Sequence, residues 1–147
     1  MKLTAYTDYT LRTLIYLAIR APHPTTIAEI ARTYRISEAH LTKVVHQLGL
    51  SGDIETVRGK GGGVRLKRPA GQINLGAVVR RTEPDLALVA CFDHAEACAI
   101  GPACVLQTAL YDALAAFLAV LDGYSLADLI APRRRLAALL GLAVVAT

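Results

Sequence analysis

The chain has 147 residues, 54% hydrophobic and 19% charged, with a formal net charge of +4. That composition supplies a core for about one domain and is too apolar for a disordered tail. Three cysteines, an odd number, exclude a fully paired disulfide scaffold of the secreted kind and point to a reducing compartment.

Charge is divided unevenly along the chain. Residues 1–68 carry eleven Lys or Arg against five acids, whereas the remainder carries five bases against seven acids. The first half is suited to meeting a polyanion and the second is not.

The first predicted helix starts after Thr7 and runs to about Arg20. Leu11, Leu14, Ile15 and Ala18 recur at helical spacing, and Pro22 and Pro24 end the pattern. Asp8 and Arg12 interrupt its apolar residues, so "MKLTAYTDYTLRTLIYLA" lacks the continuous apolar stretch of a signal peptide, and a cytoplasmic location is expected. In "TIAEIARTY", Thr26 and Glu29 have capping-box spacing, and Ile27, Ile30 and Ala31 form one apolar face. After the turn at Arg35-Ile36, Ser37 is placed to cap a third helix, "EAHLTKVVHQLGLSG", closed by glycine.

On that third helix Leu41, Val44, Val45 and Leu48 form the stripe predicted to be buried. Ala39, Lys43 and His46 point the other way, flanked by His40, Thr42 and Gln47. A face of His, Thr, Lys and Gln without carboxylates beyond Glu38 suits base edges and phosphates. Ser37, His40, Thr42, Lys43, His46 and Gln47 are therefore the candidate DNA-reading residues.

"DIETVRGKGGGVRLKRP" reads as a β-hairpin, with Ile54 and Val57 on one arm and Val64 and Leu66 on the other. Its glycine-rich tip lies among Arg58, Lys60 and Arg65, which are the candidate phosphate contacts. Taken singly, the helix pair could be an ordinary helical hairpin and the tip a plain surface turn. No Lys-Ser/Thr pair follows the glycines to make a nucleotide-binding loop. Taken together, and with the charge split, they predict a mainly α fold with a small β-wing: a winged helix-turn-helix domain over residues 1–70.

Residues 71–147 are predicted to hold a short helix in "INLGAVVRRTEP", a cysteine loop at 91–104, a long helix over about 103–121 and a C-terminal tail. The stretch Val105–Leu121 is interrupted only by Gln107, Thr108 and Asp112. At about 25 Å it is marginal for a bilayer core of about 30 Å, and it lacks basic flanks, so no membrane span is expected. Apolar residues cover nearly its whole circumference, which one domain's face cannot bury. A second copy of the chain is the natural other wall, and a twofold dimer matches a palindromic DNA site.

The cysteines, Cys91, Cys98 and Cys104, are spaced C-x6-C-x5-C. This is neither the tight knuckle of structural zinc sites nor a ferredoxin spacing. A metal or cluster, a thiol-redox pair and three unligated residues all remain open on spacing alone.

Several stretches together resemble the NsrR-type nitric-oxide-sensing repressors, in the wider winged-helix iron–sulfur group that includes IscR. They are "LTAYTDYTLRTLIYLA", "VRGKGGGVRL", the three cysteines before a long helix, and "LDGYSLADLI", collinear over roughly residues 1–130. The resemblance implies a homodimer with crossing long helices and a DNA affinity set by an iron–sulfur cluster, with nitric oxide as the signal. Cys91, Cys98 and Cys104 would be ligands. IscR-like members place a histidine ligand where this chain has Gln107. NsrR-like members can use an aspartate near the start of the first helix, supplied by the other subunit, and Asp8 matches that position. The resemblance thus implies a 4Fe–4S site, although a 2Fe–2S form is compatible with the same ligands.

Apart from the resemblance, Asp8 is an acid in a first helical turn, favoured by the helix dipole. Arg12, one turn on, is the candidate neighbour of the cluster, its plainer reading being a solvated or DNA-facing arginine. His94 and Glu96 are rival fourth ligands, and Asp93 is read as loop solvation. The alternatives are a zinc-stapled or thiol-redox winged-helix regulator without a cluster, and a small electron-transfer protein with a basic docking face. No nucleophile–base pairing, HExxH or nucleotide fingerprint is present, so no enzyme is expected.

Overall fold

Thr4, rather than Thr7, opens the first helix. The computed structural model describes residues 1–94 and 98–143, and in it α1 spans Ala5–Arg20. Thr4 Oγ1 accepts the Thr7 N–H at 3.2 Å, the bond that defines an N-cap. Thr7 lies buried within the helix, so the predicted start was one turn late. Thr10 and Thr13 are also buried, and their hydroxyls donate back to the carbonyls of Tyr6 and Tyr9 at 2.8 and 2.7 Å. The polar side chains are thereby satisfied inside the core.

Helix α2 spans Ile27–Tyr34 and carries the capping box expected of Thr26 and Glu29. The Glu29 carboxyl is held below its ordinary value, chiefly by the backbone N–H of Thr26. Arg35 takes the left-handed conformation, with φ 55°, to turn the chain into α3, Glu38–Leu50. Ser37 stands at the N-cap of α3, but its side chain makes no capping bond, contrary to expectation.

Strands β1 (Ile54–Val57) and β2 (Gly63–Leu66) pair antiparallel, with Ile54 opposite Leu66 and Val57 opposite Gly63. Thr25 exchanges backbone bonds with Val64 at 2.9 and 2.8 Å, tying this wing to the α1–α2 connection. Gly63, at φ 151°, makes that approach possible, because a Cβ there would stand 2.5 Å from the Thr25 carbonyl oxygen.

Helix α4 spans Leu75–Thr82 and is capped by Asn74. Helix α5 spans Val105–Asp122 and starts two residues later than expected, because Gly101–Ala103 form a 3-10 turn and Cys104 is the N-cap. Helix α6, Leu126–Leu129, has a capping box of Ser125 and Asp128, and α7 spans Arg133–Leu139. Arg133 donates to the carbonyls of Ile19 and Ala21 at 2.7 and 3.1 Å, which serves the otherwise unpaired end of α1.

Leu14, Leu17, Ile30, Leu41 and Val44 form the centre of the core, and Ile54, Val64, Ile73, Val78 and Leu126 join it from the wing, α4 and α6. Burial of such side chains is the main stabilising term of the fold, at about 1.5–3 kcal/mol each. Helix α5 lies outside this core, with no buried residue of its own. Its 18 residues, of mean hydropathy 1.5, are long and apolar enough to cross a membrane by length and composition. It is anchored to α4 instead, by the paired guanidinium and carboxylate of Arg80 and Asp122 and by the Asn74 amide, which donates to the Asp122 carbonyl at 2.8 Å.

Candidate DNA-binding face and cysteine site

Helix α3 presents two chemically distinct faces. Leu41, Val44 and Leu48 are buried against α1, and Val45 is half-buried. Ser37, Ala39, His40, Thr42, Lys43, His46 and Gln47 are all exposed, so every residue proposed to read DNA from this helix is available to do so. Thr42 Oγ1 donates to the Glu38 carbonyl at 2.8 Å, and the His40 ring lies 6.0 Å from that of Tyr9. An open groove of about 780 Å3 runs beside the helix, between Thr42, Lys43, His46 and Gln47 on one wall and Thr4, Tyr6, Arg81 and Thr82 on the other.

The turn that follows α3 is fastened by Asp53, which carries no motif in the sequence. Asp53 is 1% exposed, and its carboxylate is shared by Arg68, at 3.1 Å, Arg81 and the Ser51 hydroxyl, at 3.0 Å. A buried carboxylate requires such compensation, and here it joins the turn after α3 to the end of the wing and to α4. Removing the carboxylate would leave two guanidinium groups without their shared acceptor.

Among the three wing cations, Arg58 and Lys60 are exposed and make no ion pair among the described residues. Arg65 differs: its Nε donates to Glu55 at 2.8 Å, across the strand register that places the two opposite each other. It acts first as half of a cross-strand pair.

The cysteine loop is held at both ends on the first two turns of α5. Cys91 lies half-buried in a 3-10 turn, Ala90–Phe92, and Cys104 is half-buried at the helix N-cap. Cys98 is exposed, and all three are free thiols. Gln107 joins the two ends: its N–H donates to Cys104 Sγ at 3.4 Å and its side-chain amide to the Cys91 carbonyl at 3.1 Å. One turn further on, Tyr111 stacks on Phe92 with ring centres 3.8 Å apart, and its hydroxyl donates to the Phe92 carbonyl at 3.4 Å.

Asp8 sits on the first turns of α1, half exposed, with both carboxylate oxygens facing Arg12 at 3.0 Å. Arg12 also lies 5.8 Å from the centre of the Tyr34 ring, whose hydroxyl is pushed up to about 12, chiefly by burial. Asp93 and His94 are exposed, whereas Glu96 lies outside the described residues. Among the described residues, no three of His, Cys, Asp and Glu come together within this chain as a metal site.

The donor chemistry nevertheless fits an iron–sulfur cluster. Three soft sulfur donors, free of disulfides, share one loop, and one of them caps a helix whose N-terminal dipole favours negative charge. Gln107, which stands where the resemblance would place a histidine ligand, instead fastens the loop, a role that its spacing in the sequence does not show.

A helix-turn-helix with a polar exposed face, flanked by a cationic wing on a shared core, defines a winged-helix DNA-binding regulator. The chain belongs to the Rrf2 family of iron-dependent transcriptional regulators, whose profile matches residues 3–132. It is 52% identical over 143 residues to the HTH-type transcriptional regulator NsrR of Geobacillus kaustophilus, covering 95% of this chain and 97% of that one. Its identity to the regulator of the same name from Bacillus subtilis is 52% over 132 residues, covering 88% and 90%. Among solved structures it is similar to CymR, the global cysteine regulator of B. subtilis, with a TM-score of 0.69 and 28% identity over 88% of this chain and 95% of the other. The protein is accordingly a transcriptional regulator and not an enzyme.

Proposed function

We propose that the protein is a cytoplasmic, homodimeric repressor of a palindromic operator, and that it holds an iron–sulfur cluster through which nitric oxide relieves repression. The observation that carries this reading is the cysteine loop. All three thiols are free on one segment, docked at both ends on a helix that has no fully buried residue within its own chain. The high identity to regulators named NsrR supports it.

Residues 1–70 would bind DNA, and residues 71–147 would carry the cysteine loop, the dimerisation helix and the tail. Cys91, Cys98 and Cys104 would hold the cluster, of 4Fe–4S type, with Asp8 of the partner subunit as fourth ligand and the partner subunit's Arg12 balancing charge beside it. When bound, the cluster supplies iron that reacts with nitric oxide. The chain's own contribution is positional. Gln107 and Tyr111 hold the two ends of the loop in register on α5. Asp8, on the helix that packs against α3, links ligand geometry to the spacing of the two recognition helices.

The test is an absorption spectrum of anaerobically purified protein, with operator affinity measured in parallel, before and after stoichiometric nitric oxide. A brown protein that binds its operator tightly and releases it with nitric oxide is expected. A colourless protein with one zinc per chain would replace this reading with the zinc-stapled regulator. Tighter operator binding after cluster loss would overturn the direction of control.

A further inference from the structure

We propose that Glu83 is a positioning residue that couples the cysteine loop to the DNA-binding half of the chain, an inference that rests on the function proposed above. Glu83 is the first residue after α4 and stands at the head of the segment that leads to Cys91. Its Oε1 accepts the Thr4 N–H at 2.8 Å and the Thr4 hydroxyl at 3.0 Å, and it also faces the Thr7 hydroxyl. The Thr7 hydroxyl further lies 2.9 Å from that of Thr82, which donates onward to the Val78 carbonyl at 2.9 Å. One hydroxyl proton serves one acceptor, and the carboxylate is the stronger one for Thr7.

The first turn of α1 is thus held by a side chain from a remote part of the chain. Three donors converge on one carboxylate oxygen at the end of α1 where the dipole favours negative charge. Burial raises the Glu83 carboxyl, and the bonds from Thr7 and Thr4 outweigh it, so the group lies below its ordinary value.

Two structures meet at this latch. On one side, residues 85–88 run past Met1–Leu3 to Leu114 and Phe117 of α5, around a cleft of about 220 Å3. On the other, Thr7 precedes Asp8, and Thr4 and Thr82 form a wall of the groove whose opposite wall holds Lys43 and His46. A displacement of the segment entering the cysteine loop therefore pulls directly on the turn that carries Asp8 and on the floor beside the recognition helix. The first turn of α1 is too short to absorb that motion while its N–H and hydroxyl groups stay bonded to Glu83.

The test compares wild type with Glu83→Ala, Glu83→Gln and Thr7→Val. Amide exchange is measured on cluster-free protein, together with iron and sulfide content after reconstitution and operator affinity in both forms. Glu83→Ala should accelerate exchange at Thr4 and Thr7 while leaving iron content and cluster-free operator affinity at wild-type levels. The ratio of loaded to cluster-free affinity should fall by about tenfold. Glu83→Gln, whose amide oxygen still accepts, should restore part of the ratio, and Thr7→Val should lower it.

An unchanged ratio in Glu83→Ala overturns the proposal. So does an equal loss of operator binding in the loaded and cluster-free forms, which leaves the ratio unchanged and marks Glu83 as a plain staple of the fold. Should the alanine variant not fold, the glutamine and valine variants decide by the same ratio. A wild-type ratio of one would remove the proposed function itself, and the latch inference with it.

Discussion

Helices α1 and α5 are of similar length, 16 and 18 residues, and dispose of their apolar surface in opposite ways. Eight residues of α1 are buried, among them Thr7, Thr10 and Thr13, whereas α5 has the more continuous apolar composition and buries none. Position decides this, and composition does not. α1 is wrapped by α3, α4, α6 and the wing, so even its threonines are enclosed, with their hydroxyls turned onto backbone carbonyls or Glu83. α5 touches the rest of the chain along one side and at its ends, leaving Val105, Leu106 and Val120 in water. The core around α1 closes with α4 and α6 drawn in from the second half of the chain, whereas α5 leaves an apolar surface open to a further wall.

The largest expected effects test that contrast directly. Leu41→Ala removes a fully buried side chain and should lower the stability of the chain by about 2–5 kcal/mol, measured by urea unfolding. Leu106→Glu on α5 should leave unfolding of the single chain nearly unchanged and shift the sedimentation coefficient from dimer to monomer. If the two variants behaved alike, in either assay, the contrast would collapse.

A smaller effect is expected where the wing is joined to the core. Gly63→Ala places a Cβ against the Thr25 carbonyl oxygen at a backbone conformation that L residues rarely adopt. It should cost about 1–3 kcal/mol and weaken DNA binding through a displaced wing, without changing the dimer. Heteronuclear NMR of the Thr25 and Val64 amides would report the lost pairing.

The parts of this arrangement that were legible in the sequence are those written locally. The Thr26–Glu29 capping box, the Leu41, Val44 and Leu48 stripe and the glycine-rich hairpin each depend on residues within a few positions of one another, and each is found where expected. The start of α1 was misplaced between two threonines, since Thr4 and Thr7 are both capping residues by type; only the folded chain buries Thr7 and leaves Thr4 to cap, with Glu83, 79 residues away, holding it there. Arg65 read as a free wing cation because its pairing with Glu55 follows from strand register. Asp53 carried no motif at all, and its importance arises only when Arg68 and Arg81 converge on it. For the cysteines, grouping on one loop was visible, while the fastening by Gln107 and Tyr111 required the helix to be folded.

Acid should lower the stability of the chain, in part through Glu29 and Glu83. Glu83 and Glu29 both lie below their ordinary value of 4.5 in the folded chain, so the unfolded state binds more protons as pH falls. Their contribution to stability is therefore present above about 4.5 and is lost as pH drops through the folded-state values. A melting-temperature profile between pH 6 and pH 3, taken as roughly the range that spans ordinary carboxylates, should descend at its acid end. The descent should be shallower in Glu83→Gln. A matching descent in the sedimentation coefficient, with melting unaffected, would place the acid-sensitive carboxylates on the α5 surface instead.

The smallest effect separates the wing cations and counts subunits at once. Lys60 is exposed without an ion pair among the described residues, whereas Arg65 is held by Glu55. Lys60→Ala should therefore weaken operator and random DNA alike and lower the slope of log affinity against log salt by about 0.9 per chain. Arg65→Ala should change the slope less, because its charge is already partly compensated. In a dimer the Lys60 change should be about 1.8, falling to about 0.9 when Leu106→Glu is added, since each chain then meets the phosphates alone. A slope change of the single-chain size in the otherwise wild-type protein would show one wing engaged, and would break the link between the exposed surface of α5 and two-sided DNA binding.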